Sequence, residues 1–117
     1  MLAQTVVARN IAGQTTQRQY NYDSYRMLGY ANTDCGKMTS DLRDNRKGWE
    51  LDYMTYATGF LTGANYHACV TKRGNPKVGQ GTSAEALLAA VEQYCGQYPL
   101  KKVVDALDSV YLQLSVK

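Results

Sequence analysis

The stretch Ala84–Leu114, AEALLAAVEQYCGQYPLKKVVDALDSVYLQL, decides the fold. Its apolar residues form two helical series. Leu87, Leu88, Val91, Tyr94 and Cys95 share one face, and Leu100, Val103, Val104, Leu107, Val110, Tyr111 and Leu114 repeat at i, i+3, i+4. Thr82–Ser83–Ala84–Glu85 has capping-box spacing, so a helix is predicted from Ser83 to about Cys95. Gly96 is placed as its C-cap and Pro99 as the first-turn proline of the next helix. So short a link favours antiparallel neighbours.

Upstream lies a second strong signal. Trp49, Tyr53, Tyr56, Phe60, Gly63 and His67 recur at alternating spacings of four and three, and Met54, Ala57, Leu61, Ala64 and Ala68 widen the stripe. Gly59 and Gly63 each cost about 1 kcal/mol relative to Ala inside a helix, which calls for a closely approaching helix backbone as compensation. The flanks are too polar for a membrane GxxxG pair. An earlier helix is predicted to start at Thr33 or Asp34, to bury Met38 and Leu42, and to break at Gly48. Residues 1–32 read as an irregular segment, with a short strand over Thr5–Val6–Val7–Ala8 and a packed turn near Tyr25–Tyr30. The predicted fold class is therefore all-α: a small bundle of four helices over residues 33–117, preceded by that irregular segment.

A chain of 117 residues fits one domain. Its 13 basic and 10 acidic residues leave a net charge of +3 without a long basic run, too little to argue for nucleic acid. No apolar run reaches the roughly 20 residues that cross a bilayer. Met1–Gln4 has neither the charged nor the apolar part of a signal peptide, and Leu2–Ala3–Gln4 reads as a mature N-terminus from which a leader has gone. Ten tyrosines stand against one Phe and one Trp. A tyrosine packs its ring yet needs a hydroxyl partner, so the excess suggests a half-wet core boundary or a binding face.

Candidate chemistry is sparse. His67, the single histidine, lies on an apolar stripe and is read as a packed structural residue; Cys69, two residues on, faces elsewhere and makes a poor catalytic pair. One His and three dispersed Cys give no metal-ligand spacing, and no cofactor is expected. Asp41, Asp44, Glu50 and Asp52 read as an ordinary charged helix face. The loop 70–82 carries three glycines, but Gln80 stands where a phosphate-binding loop needs lysine, and no buried strand precedes it. That loop does hold Lys72, Arg73 and Lys77 without an acidic residue, a pattern suited to docking an acidic partner surface. With no convergent polar constellation, an enzyme is not expected.

Cys35 opens the first predicted helix and Cys95 closes the third, which makes them the favoured pair; Cys69, at the end of the second, could bond to either. One disulfide plus a spare thiol suits an exported protein, and three buried thiols in a cytosolic one is the alternative.

The ordered set Cys35–Gly36, then Gly59–Phe60–Leu61–Thr62–Gly63–Ala64–Asn65, then Tyr94–Cys95–Gly96–Gln97–Tyr98–Pro99–Leu100 with Asp105–Ala106 resembles small exported proteobacterial proteins loosely grouped with the HdeA/HdeB acid-stress family. The resemblance spans about residues 35–114 and implies a helical periplasmic domain with a Cys35–Cys95 bridge. Cys69, Met38 in place of a frequent Trp, and the Tyr-rich segment before Thr33 depart from the group. Two functions follow as expectations. One is a dedicated inhibitor or immunity-type protein acting by protein–protein binding, with Lys72, Arg73, Lys77, Tyr20, Tyr22 and Tyr25 as candidate contact residues. The other is an acid-stress chaperone. The expected partner is another protein with an acidic surface; a homodimer is also allowed, and neither nucleic acid nor membrane insertion is expected.

Overall fold

The computed structural model describes residues 24–116. Four helices follow a short 3-10 turn at Gly29–Asn32: α1 (Cys35–Asp44), α2 (Arg46–Thr71), α3 (Ala84–Gln97) and α4 (Val103–Ser115). There is no strand among these residues, and the bundle is all-α as expected. The short strand placed at Thr5–Ala8 lies outside the described residues.

The core gathers apolar residues from every helix. Met38 and Leu42 of α1, Tyr53, Ala57 and Leu61 of α2, Leu87, Leu88 and Val91 of α3, and Val103, Leu107 and Val110 of α4 are all buried together. Cys35 and Cys95 are bonded at the centre of this cluster, their Cα atoms 4.7 Å apart, so the start of α1 is tied to the end of α3. Cys69 is free and exposed.

Helix boundaries depart from the expected ones for definable reasons. The break falls at Asn45, not at Gly48, because the Asn45 side chain accepts from the Gly48 N–H and starts a new helix there. Gly48 is the residue that leaves room for this cap: a Cβ would come within 2.5 Å of Asn45 Nδ2. Ser83, not Thr82, caps α3, its hydroxyl accepting from Ala86 N–H at 3.0 Å. Gly96 lies inside α3 and Tyr98 is the C-cap.

Pro99 does not open α4, and Leu100 is exposed. The link 99–102 instead runs antiparallel to the start of α1, forming an isolated bridge between Asp34 and Lys102. Cys35 N–H donates to Lys101 O at 2.7 Å, Gly36 N–H to Pro99 O at 3.0 Å, and Val103 N–H to Thr33 O at 2.8 Å. The first N–H groups of a helix have no partner of their own; here the link's carbonyls supply it. Asp34 does occupy the N-cap, but its carboxylate pairs with Lys102 Nζ at 3.1 Å instead of capping. Once those carbonyls are committed, α4 begins at Val103, where Lys102 N–H donates to the Asp105 carboxylate at 2.9 Å.

Gly59 and Gly63 were expected to meet another helix backbone. Both are exposed, and a Cβ at either would touch nothing within 4 Å among the described residues. His67, expected to be packed, is also exposed. The buried line of α2 runs through Tyr53, Ala57, Leu61 and Ala68, which rotates the helix so that His67 and both glycines face out.

Candidate functional site

The stretch between α2 and α3 is a defined surface feature, held in place from α2. Lys72 ends α2 in a left-handed conformation, with φ 56°. Asn75 Oδ1 accepts from Lys77 N–H at 2.9 Å, Gln80 N–H donates to Lys77 O at 3.1 Å, and Thr82 N–H donates to Gly79 O at 2.8 Å. These short-range bonds fold the segment into consecutive turns.

Asn65 anchors the turns to the helix. Its Nδ2 donates to Val78 O and its Oδ1 accepts from Val78 N–H, both at 3.0 Å. One side chain thus satisfies both backbone groups of a residue that is only 4% exposed. Gly79 completes the fit: its φ is 84°, and a Cβ there would press within 2.7 Å of Leu61 Cδ2. Only glycine meets both the conformation and the approach.

Lys72, Arg73 and Lys77 project from this braced loop and are exposed, and no carboxylate pairs with any of them among the described residues. No Asp or Glu occurs between Asp52 and Glu85. Beside the loop lies an open cleft of about 430 Å³ between α2, residues 77–82 and the start of α3.

The candidate tyrosines are not part of this surface. Tyr20 and Tyr22 lie outside the described residues. Tyr25 is exposed and sits within electrostatic reach of Tyr56. Tyr56 and Asn65 are nine residues apart on α2, about two and a half turns, and so point to opposite flanks. On the Tyr56 flank Tyr30 packs against Tyr53 at 4.9 Å and Tyr56 at 6.2 Å, while Trp49 lies 5.9 Å from Tyr53. The Tyr53 ring is buried and its hydroxyl donates to Asp41 at 2.8 Å. Burial, then that hydrogen bond and charge, push its phenol pKa well up. Tyr30, Tyr53 and Tyr56 thus line the core boundary, whereas Tyr25, Tyr66 and Tyr98 are exposed.

The carboxylates serve the fold. Asp41 also takes Lys37 at 3.2 Å, Asp44 pairs with Arg43 at 3.0 Å, Glu50 with Arg46 at 3.2 Å, and Asp52 accepts from Tyr30. Arg46 grips Glu92 of α3 through two bonds of 2.7 and 3.0 Å, a forked geometry that raises its already high pKa. No three of His, Cys, Asp and Glu gather to hold a metal ion among the described residues. No helix among them is long and apolar enough to cross a membrane.

Asn65 is the residue that sequence reasoning passed over. Its signal was present: a weak helix former amid apolar and small residues needs a reason to be there, and a hydrogen bond across to another segment is the usual one. In comparisons with known proteins, no family model, no curated protein and no solved structure matches the chain.

Proposed function

We propose that this chain is an exported, periplasmic protein that works by binding another protein, as a dedicated inhibitor or immunity-type partner, through the cationic loop after α2. The observation that carries the reading is the bracing of that loop. Asn65 and Gly79 fix its backbone, while Lys72, Arg73 and Lys77 stay exposed and without an acidic partner among the described residues. A preordered loop loses less entropy on docking than a floppy one, and its charges steer an acidic surface towards it. The buried disulfide is compatible with an oxidising compartment. The resemblance to the HdeA/HdeB group remains an expectation that supports the same compartment.

A second reading, the acid-stress chaperone, draws on a different observation. Several polar ties between elements use a carboxylate: Tyr53 to Asp41 joins α2 to α1, Arg46 to Glu92 joins α2 to α3, and Lys102 to Asp34 joins the α4 cap to the α1 cap. Protonating the 10 acidic residues would neutralise both ion pairs, turn the Tyr53–Asp41 bond into a weaker neutral one, and leave a strongly cationic chain.

Affinity capture from periplasmic extract separates the two, using the parent chain beside a Lys72→Glu/Arg73→Glu/Lys77→Glu variant. One stoichiometric partner at neutral pH, lost with the variant and weakened by salt, is the outcome expected of a dedicated binder. A partner held equally by the variant would remove the loop from the interface. Many clients that appear only near pH 3 would favour the chaperone.

A further inference from the structure

The cleft beside the braced loop has a composition that selects its occupant. Its deepest surface is apolar, formed by Leu61, Val78 and Leu87, each less than 10% exposed, and the half-buried Thr58 and Asn65 beside them have their polar groups already bonded to Met54 and Val78. Its exposed rim carries Thr62, Lys77, Gln80, Thr82 and Ser83. None of its lining residues is acidic, and Lys77 has no carboxylate partner among the described residues. At about 430 Å³ it falls within the roughly 300–1,000 Å³ that ligand sites occupy.

We propose that this cleft receives an acidic, extended segment of a partner protein, seating one apolar side chain on Leu61, Val78 and Leu87 while a flanking carboxylate meets Lys77. Two features argue for this occupant. An apolar floor without charge rewards a buried aliphatic side chain, because apolar area leaves water there at no electrostatic cost. A rim with one uncompensated cation, three hydroxyls, one amide and no acid rewards a carboxylate beside it and rejects a basic segment. Lys72 and Arg73, earlier in the same loop, extend the positive field for an occupant longer than the cleft. One wall is a helix and the other a loop whose Val78 backbone groups are both already taken by Asn65. Recognition therefore falls to side chains, not to β-strand addition. The inference rests on the protein-binding reading and narrows its partner to one with an acidic, aliphatic-bearing segment.

The test is direct titration, followed by backbone amide NMR, with three capped pentapeptides: acetyl-Asp-Glu-Leu-Asp-Glu-amide, its neutral Asn-Gln-Leu-Asn-Gln counterpart, and the acidic peptide with alanine in place of leucine. The acidic leucine peptide is expected to shift Thr62, Val78, Gly79 and Leu87 amides and to saturate at about 1 mM or below. The neutral peptide and the alanine peptide are each expected to bind at least about tenfold more weakly. Lys77→Gln should reduce the acidic peptide to the neutral one's affinity, and Thr62→Phe, at an exposed position that fills the cleft, should abolish binding with the helical circular dichroism spectrum unchanged. Equal binding of all three peptides, shifts confined to residues outside the cleft, or no shift at all would overturn the proposal. If the peptides fail while loop charge reversal still releases a captured partner, the cleft is refuted and the loop interface stands. If the peptides bind as expected and a Lys72→Glu/Arg73→Glu variant with Lys77 intact leaves a captured partner in place, the cleft stands and the rest of the loop is removed from the interface.

Discussion

Replacing Asn65 should both destabilise the protein and free the loop, by an amount set by Val78. In Asn65→Ala, Val78 N–H and C=O lose their two 3.0 Å bonds while Val78 remains a buried residue. A buried backbone group left without a partner costs about 1–3 kcal/mol. If the loop lifts away so that water can reach those groups, the burial of the Val78 side chain is lost instead, worth about 1.5–3 kcal/mol. Two such groups together would cost about 2–6 kcal/mol, so the chain takes the cheaper route of lifting the loop, and the loss should be about 1.5–3 kcal/mol. Asn65→Asp is the sharper probe. A carboxylate can still accept from Val78 N–H, but it sets an oxygen against Val78 O where Nδ2 donated. That arrangement disfavours the charged form and raises the folded-state pKa of the new acid above its unfolded value of about 4. The deficit relative to the parent is therefore full at neutral pH. It shrinks as pH falls through the raised value towards about pH 4, because the protonated acid can donate again. Urea unfolding followed by Trp49 fluorescence gives the stability difference at each pH, and amide hydrogen exchange at Val78 reports the loop itself. A loss under about 0.5 kcal/mol in Asn65→Ala, with Val78 still protected, would refute the claim that Asn65 braces the loop.

Three further outcomes are expected. Cys35→Ala/Cys95→Ala opens a sequence separation of 60 residues and should cost about 4 kcal/mol in urea unfolding, whereas exposed Cys69→Ser should change stability by less than about 0.5 kcal/mol; comparable losses at both sites would contradict the assigned bridge. The raised Tyr53 phenol keeps its proton in the folded state while the unfolded chain releases it near pH 10, so stability is full below that pH and falls above it by about 1.4 kcal/mol per pH unit; Tyr53→Phe should flatten this alkaline limb, and an unchanged slope would show that Tyr53 carries none of it. Gly59→Ala and Gly63→Ala, with open space around both positions, should each raise stability by about 1 kcal/mol; a loss at either would reveal a close contact made outside the described residues.

The periodic face of each helix was legible in the chain. Met38 and Leu42, Leu87 through Cys95, and Val103 through Val110 are apolar at helical spacing, and burying them in one core leaves little choice but a bundle. The cysteine positions narrowed the bridge because a residue at a helix start and another at a helix end can meet at one pole of that bundle. The loop's cations were legible too, as composition.

Helix ends and facing directions were not. Pro99 and Leu100 look like a helix start, yet the carbonyls of Pro99 and Lys101 are claimed by the N–H groups of Gly36 and Cys35, 63 and 66 residues away along the chain, and α4 waits for Val103. His67 and the two glycines sit on a stripe that sequence reads as buried, but α2 is long enough to offer several apolar stripes, and packing against α3 selected the one through Ala57 and Leu61. Asn65 shows the same division most clearly. Its presence in a helix is a local oddity, while its role depends on Val78, 13 residues on, being brought opposite it. Local periodicity is a property of neighbours along the chain, so the sequence carries it; the partners of caps, loop anchors and helix faces come from distant segments, and only their meeting in three dimensions assigns them.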